Sequence, residues 1–198
     1  RESGECLAAK MEREILERVA SLPGDIIECG SSRCGSAVLM AQDLKARGVR
    51  RTIFACDSFE GFDRAEIRAE KEAGLARAPD DAFTSTSLDY VTRKIARLGL
   101  VGTIRPVKGY FEATLPSMTG DYCLAFIDCD LRKSATFCAE TLWPRVVPGG
   151  ALVFDDYAEA DFRGARLAVD DFVAAHAGEI VEHGLGRRLY RVIRRTGA

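Results

Sequence analysis

Two hydrophobic periods alternate along this chain, and their order lays out a fold. Met11, Ile15, Leu16 and Val19 stand at helical spacing within residues 11–22, and Pro23-Gly24 stops the helix they predict. Residues 25–29 (DIIEC) then form a short apolar run, as expected of a strand buried on both faces. Residues 30–35 read as a turn, 36–46 return to helical spacing, and Gly48 ends that helix. A second buried strand, 52–56, stops at Asp57. Residues 63–81, rich in Glu, Arg and Ala, predict an exposed helix; 82–87 predict a loop and 87–98 an amphipathic helix. Strands follow at 103–108 and 123–127, the latter ending at Asp128, then a helix at 133–146 and a turn at Pro148-Gly149-Gly150. A strand at 151–154 runs into Asp155-Asp156, a helix covers 162–175, and two last strands, 179–183 and 188–193, flank Gly184-Leu185-Gly186.

Strands alternating with helices predict parallel βαβ units joined by right-handed crossovers. The short link between the final two strands predicts a hairpin, so one of them runs against the rest. The expected architecture is an α/β, Rossmann-like domain: a mostly parallel seven-stranded sheet with a terminal antiparallel hairpin and helices on both faces.

Composition narrows the partners. At 198 residues the chain suits one domain, here taken as 1–198. The formal net charge of -2 lacks the basic excess of a general nucleic-acid binder. No apolar run approaches the ~20 residues that cross a bilayer, and residues 1–5 (RESGE) lack a signal peptide's apolar core. Seven cysteines, an odd number without C-x-x-C spacing, read as reduced thiols of a cytoplasmic protein. His176 and His183, the only histidines, stand late in the chain and read as structural. The basic run Arg187-Arg188 and Arg191 to Arg195 alternates with apolar residues, which predicts an edge strand with a solvated face rather than a nucleic-acid site. A homo-oligomer is compatible with all of this.

Candidate chemistry gathers at strand ends. Asp57, Asp128 and Asp155-Asp156 each follow a buried strand, and open α/β sheets bind ligands beyond the carboxyl ends of their strands. Strands joined through a helix are often neighbours, about 4.8 Å apart, which brings Asp128, Asp155 and Asp156 within reach of one ion. Like charges so close need a cation or a proton, and an all-oxygen set suits a hard divalent cation: Mg²⁺ first, with Ca²⁺ and Mn²⁺ as alternatives. The alternative makes Asp130 and Asp156 helix caps and Asp128 a satisfied turn residue. The first turn, residues 28–36 (ECGSSRCGS), has the glycine spacing of a phosphate loop, but Ser36 stands where that loop needs Lys, and G-x-G-x-x-G is absent. A plain strand-to-helix turn is the alternative there. Asp57 is placed to accept hydrogen bonds from ribose hydroxyls, or to cap a turn. Phe59 suits either an adenine face or the core.

Several segments occur together in order: 24–30 (GDIIECG), 57–62 (DSFEGF), 107–116 (VKGYFEATLP), 126–130 (FIDCD), 148–150 (PGG) through 155–157 (DDY), then 164–166 (GAR) and 168–170 (AVD). Over roughly residues 23–173 the chain resembles the macrocin O-methyltransferase-like family, which uses S-adenosylmethionine and Mg²⁺. The resemblance implies a class I methyltransferase fold. It implies that Glu28, Gly30, Ser31, Gly35 and Ser36 surround the amino-acid end of the cofactor, with Asp57 on its ribose and Ser58 and Phe59 beside its adenosine. It makes Asp128, Asp155 and Asp156 the metal ligands, with Asp128 also at the cofactor and the candidate general base. The partner it implies is a small-molecule hydroxyl acceptor, a natural-product sugar or vicinal diol. Cys34 stands where the family often has a second glycine, and Arg132 where it often has Tyr. Residues 63–87 are the expected substrate lid. An NAD-dependent oxidoreductase and a non-catalytic cofactor-binding module are the competing readings.

Overall fold

The computed structural model describes residues 14–186 and 189–194. Residues 14–19 are helical. The elements that follow are β1 (Asp25–Cys29), α1 (Gly35–Ala46), β2 (Ile53–Asp57), α2 (Arg64–Glu72), α3 (Leu88–Arg97), β3 (Ile104–Lys108), β4 (Tyr122–Ile127), α4 (Arg132–Leu142), β5 (Val146–Phe154), α5 (Arg163–Ala175), β6 (Ile180–Leu185) and β7 (Tyr190–Arg194). The strands form one seven-stranded sheet in the order β3-β2-β1-β4-β5-β7-β6. The first five are parallel, and β7 runs antiparallel to both β5 and β6.

Successive residues of a strand face opposite sides of the sheet, and the two cores follow from that period of two. Ile26, Ile53 and Ala55 point toward α1 and α3, packing with Met40, Leu44, Val91 and Ile95. Ile27, Cys56 and Leu152 point the other way, toward Ala139 and Leu142 of α4 and Val169 and Phe172 of α5. Arg51 closes the N-terminal side: its guanidinium donates to the carbonyls of Val19 (3.2 Å), Ala20 (2.7 Å), Leu22 (2.5 Å) and Gly24 (2.9 Å), at and just beyond the end of the first helix.

Four expectations are corrected. The helix expected at 63–81 stops at Glu72 and is not wholly exposed, since Glu66, Ile67 and Glu70 are buried. The helix expected to reach 146 ends at Leu142, where Pro144 enforces a 3₁₀ turn over Trp143–Arg145. Pro148-Gly149-Gly150 is not a turn between elements but an irregularity inside the nine-residue β5, where the register jumps from Tyr122↔Val146 to Leu124↔Ala151. Gly150 is required there, because a Cβ would meet the Cys123 carbonyl oxygen at 2.9 Å.

The basic strand is interior, and β6 is the edge. Arg194 donates to the carbonyls of Trp143 and Pro144 at 3.0 Å, and Arg191 pairs with Glu182 at 3.3 Å. Arg187, Arg188, Arg195, Cys6 and the start of the first helix lie outside the described residues. The other six cysteines are free and buried. Among the described residues, no helix is long and apolar enough to cross a membrane.

Candidate active site

The order of β1 and β4 creates the site. Chain direction through the sheet reverses between them, and the crevice beyond their carboxyl ends is where doubly wound sheets take ligands. β1 ends at Cys29, whose carbonyl accepts the Asp128 N–H at 2.8 Å; the Ile127 carbonyl accepts the Asp155 N–H at 3.1 Å. These bonds extend the parallel ladder by one residue and fix where the acidic side chains leave the sheet. The backbone approach is tight. Gly30 has φ +93°, and a Cβ there would lie 1.7 Å from the Asp128 carbonyl oxygen. Its glycine is therefore demanded by the β1–β4 junction itself.

Carboxylate oxygens of Asp128, Asp155 and Asp156 lie within 4.8 Å of one another. Asp156 is buried and accepts the Asp130 N–H at 2.9 Å. Asp130 does not cap the next helix: it has φ +60°, and Leu131 occupies the N-cap position. Burial first, then Asp156 and Asp155, push the Asp128 carboxyl well above the usual range. The same causes raise Asp130 to about 9. Strong mutual repulsion among oxygen donors, with no sulfur or imidazole in the set, fits a hard divalent cation.

The first turn supplies a second set. Glu28 is fully buried, accepts a hydrogen bond from the Ser36 hydroxyl, and is raised by burial. Its Oε2 and the Ser31 Oγ are buried without a hydrogen-bond partner. Open space lies over Gly35, at the start of α1. Cys34 occupies the left-handed region at φ +52°, a conformation that glycine adopts with less strain. Asp57 is tied to the turn: its Oδ2 accepts from Ser32 N–H (2.8 Å) and its Oδ1 from Phe59 N–H (2.6 Å), leaving each oxygen a further lone pair. The Ser58 hydroxyl donates to the Gly61 carbonyl at 2.6 Å.

These pieces share one cleft of about 430 Å³, lined by Gly30, Ser32, Asp57, Ser58, Asp128, Asp155 and Asp156. Glu28, Ser31, Gly35 and Ser36 are not among its lining residues. Phe59 does not reach it either. Its ring is buried in the core on the α1 side, the second of the two places its sequence position left open. The cleft also recruits residues that sequence reasoning did not assign: Asp63, Glu66, Phe83, Tyr110, Phe111, Glu159, Asp161 and Phe162. The motif at 107–116 was the one signal for Tyr110 and Phe111. Asp63, Glu66 and Phe83 fall within the expected lid at 63–87, and Glu159, Asp161 and Phe162 have no local signature. Phe62, just before the lid segment, packs edge-on against Phe83 (5.1 Å) and Phe162 (5.8 Å), and Ile67 and Ala76 within it form a small core with Leu131 and Phe162. Nine lining side chains are acidic and none is Lys, Arg or His among the described residues, so the cleft favours cationic ligands.

Comparison with known proteins agrees with this fold. The family model described as macrocin-O-methyltransferase (TylF) matches residues 7–182. The chain is 34% identical over 163 residues to 8-demethyl-8-(2,3-dimethoxy-alpha-L-rhamnosyl)-tetracenomycin-C 4'-O-methyltransferase of Streptomyces olivaceus, covering 76% of this chain and 58% of that protein. It is 31% identical over 169 residues to mycinamicin III 3''-O-methyltransferase of Micromonospora griseorubida, covering 81% and 65%. The chain thus spans less than two thirds of these relatives. Among solved structures, the O-methyltransferase NovP superposes with a TM-score of 0.81 at 27% identity, covering 96% of this chain and 80% of that one.

Proposed function

The chain belongs to the macrocin O-methyltransferase family, and on that premise we propose that it transfers a methyl group from S-adenosylmethionine to a hydroxyl of a small natural-product acceptor, a sugar or vicinal diol, with help from a divalent cation such as Mg²⁺. One observation carries the proposal: three carboxylates from the ends of two neighbouring strands converge in the same cleft as the glycine turn. Glu28, Gly30, Ser31, Gly35 and Ser36 would hold the amino-acid end of the cofactor. The unsatisfied oxygens of Glu28 and Ser31 are suited to an ammonium group. Asp57 and Ser58 would hold the nucleoside end, and Asp128, Asp155 and Asp156 the metal. A bound divalent cation supplies Lewis-acid activation of the acceptor hydroxyl.

The residues of the chain do the rest. Transfer is an in-line displacement, so the site's main task is alignment. Asp128 takes the hydroxyl proton at a carboxylate oxygen as the oxygen–carbon bond forms and the carbon–sulfur bond breaks. Residues 63–87 would act as the lid, with Phe83 on the acceptor-side wall against Phe62. The six free, buried thiols support a cytoplasmic location. The test is transfer of labelled methyl from S-adenosylmethionine to a panel of deoxysugar glycosides with vicinal hydroxyls, with Mg²⁺ or with chelator. The proposal expects turnover that chelator and Asp155→Ala abolish while the demethylated cofactor still binds. Full turnover in chelator, or binding of NAD in place of the methyl donor, would overturn it.

A further inference from the structure

The N-terminus of α4, which follows the acidic loop directly, has no cap of its own, because Leu131 offers no side-chain acceptor. Its backbone donors are satisfied by another segment. Glu70 Oε1 accepts the Arg132 N–H at 3.0 Å, and Glu66 Oε1 accepts the Ser134 N–H at 2.8 Å while its Oε2 accepts the Ser134 hydroxyl at 2.8 Å. Both glutamates are buried, and their i,i+4 spacing puts them on one face of α2. Two carboxylates thus meet the positive end of α4. Glu70 also reaches the start of α5: a Cβ on Gly164 would lie 2.2 Å from its Oε2. The chain just after α2 continues the contact. Arg163 N–H donates to the Leu75 carbonyl at 2.8 Å, Arg77 N–H to the Asp161 carbonyl at 3.0 Å, and Ala76 bridges to Phe162. One segment therefore grips the loops that follow both β4 and β5, the two that carry the acidic cluster.

We propose that Glu66 and Glu70 are positioning residues, a clasp through which the 64–77 segment sets Asp128 against Asp155 and Asp156 in ion-binding geometry. The inference rests on the metal reading given under Proposed function. Residues that orient ligands from outside typically change metal affinity by about 10- to 100-fold when removed. The test measures Mn²⁺ binding by electron paramagnetic resonance of the free ion, and binding of S-adenosylhomocysteine by calorimetry, in wild type, Glu66→Ala/Glu70→Ala and Glu66→Gln. The double variant is expected to bind Mn²⁺ at least about tenfold more weakly and S-adenosylhomocysteine within about twofold of wild type. Glu66→Gln, which keeps one acceptor for the Ser134 N–H, is expected to recover most of the loss. Should the double variant not fold, Ser134→Ala, which removes one of the three bonds, carries the test with an expected loss of about threefold. Unchanged Mn²⁺ affinity in a folded variant overturns the clasp, as does an equal loss of both ligands, which marks general loosening. If wild type binds no Mn²⁺, the metal reading itself fails and the clasp with it.

Discussion

Neutralising Asp128 should stabilise the metal-free protein. Its carboxylate oxygen lies within 4.8 Å of one from Asp155 and one from Asp156. At that separation and an effective dielectric constant of about 20, two full charges repel by about 3.5 kcal/mol. Protonation relieves much of this, because the Asp128 carboxyl is raised by burial, Asp156 and Asp155. What remains near neutral pH is bounded by that pairwise value, about 3.5 kcal/mol for each pair. Asp128→Asn keeps the shape and removes the charge, so in chelator its melting temperature should rise by about 2–4 °C for each kcal/mol.

The sign with pH follows from the raised carboxyl. The folded state holds this proton more tightly than the unfolded chain, so the group's contribution to stability is fully present at low pH. It is lost as pH climbs from the unfolded value near 3.8 through the folded one. Thermal unfolding in chelator across that range should show the wild type losing stability and Asp128→Asn losing less. Mg²⁺ should stabilise the wild type and do little for the variant. A variant less stable than wild type in chelator, or equally stabilised by Mg²⁺, would refute the claim that these three groups repel one another around an ion site.

Gly30→Ala should abolish soluble expression or cost more than about 4 kcal/mol, since its Cβ collides with the Asp128 carbonyl and its φ is +93°; expression yield and denaturant unfolding check this. Arg51→Met leaves four carbonyls without their guanidinium and should cost about 2–4 kcal/mol in denaturant unfolding. Burial lowers the His176 pKa, but the Glu179 (3.1 Å) and Glu140 (3.0 Å) carboxylates raise it by more, so its ionised form adds stability below the ordinary 6.5 that is lost as pH rises through the higher folded value. His176→Gln should flatten the melting temperature between about pH 6 and 8. Native protein should show at most one thiol, Cys6, reacting rapidly with a disulfide reagent, and seven after unfolding, because six are buried.

The sheet was legible because fully buried parallel strands make unbroken apolar runs, and the acidic residues at 57, 128, 155 and 156 punctuate their ends. Convergence of three of them was foreseeable from the adjacency of strands joined through a helix. What could not be read was anything satisfied from a distance. Glu66 and Glu70 look like solvated charges on an exposed helix, and only the fold turns them into caps for α4. Arg51 belongs to no sequence motif, yet it gathers the carbonyls of residues 19, 20, 22 and 24. Phe59 sits beside two plausible ligand contacts in sequence, but it has a positive φ and its ring packs in the core. Pro148-Gly149-Gly150 has turn composition, and the pairing of β4 with β5 on either side of it overrides that preference. The basic C-terminal run has edge-strand composition, and the hairpin inserts it between β5 and β6.

Anomalous diffraction from crystals grown with Mn²⁺ and S-adenosylhomocysteine locates the ion directly. A manganese peak bounded by the carboxylates of Asp128, Asp155 and Asp156, with the cofactor product lying over the Gly30 turn, is the predicted result. A cofactor density at that turn with no peak among the three carboxylates would contradict the account.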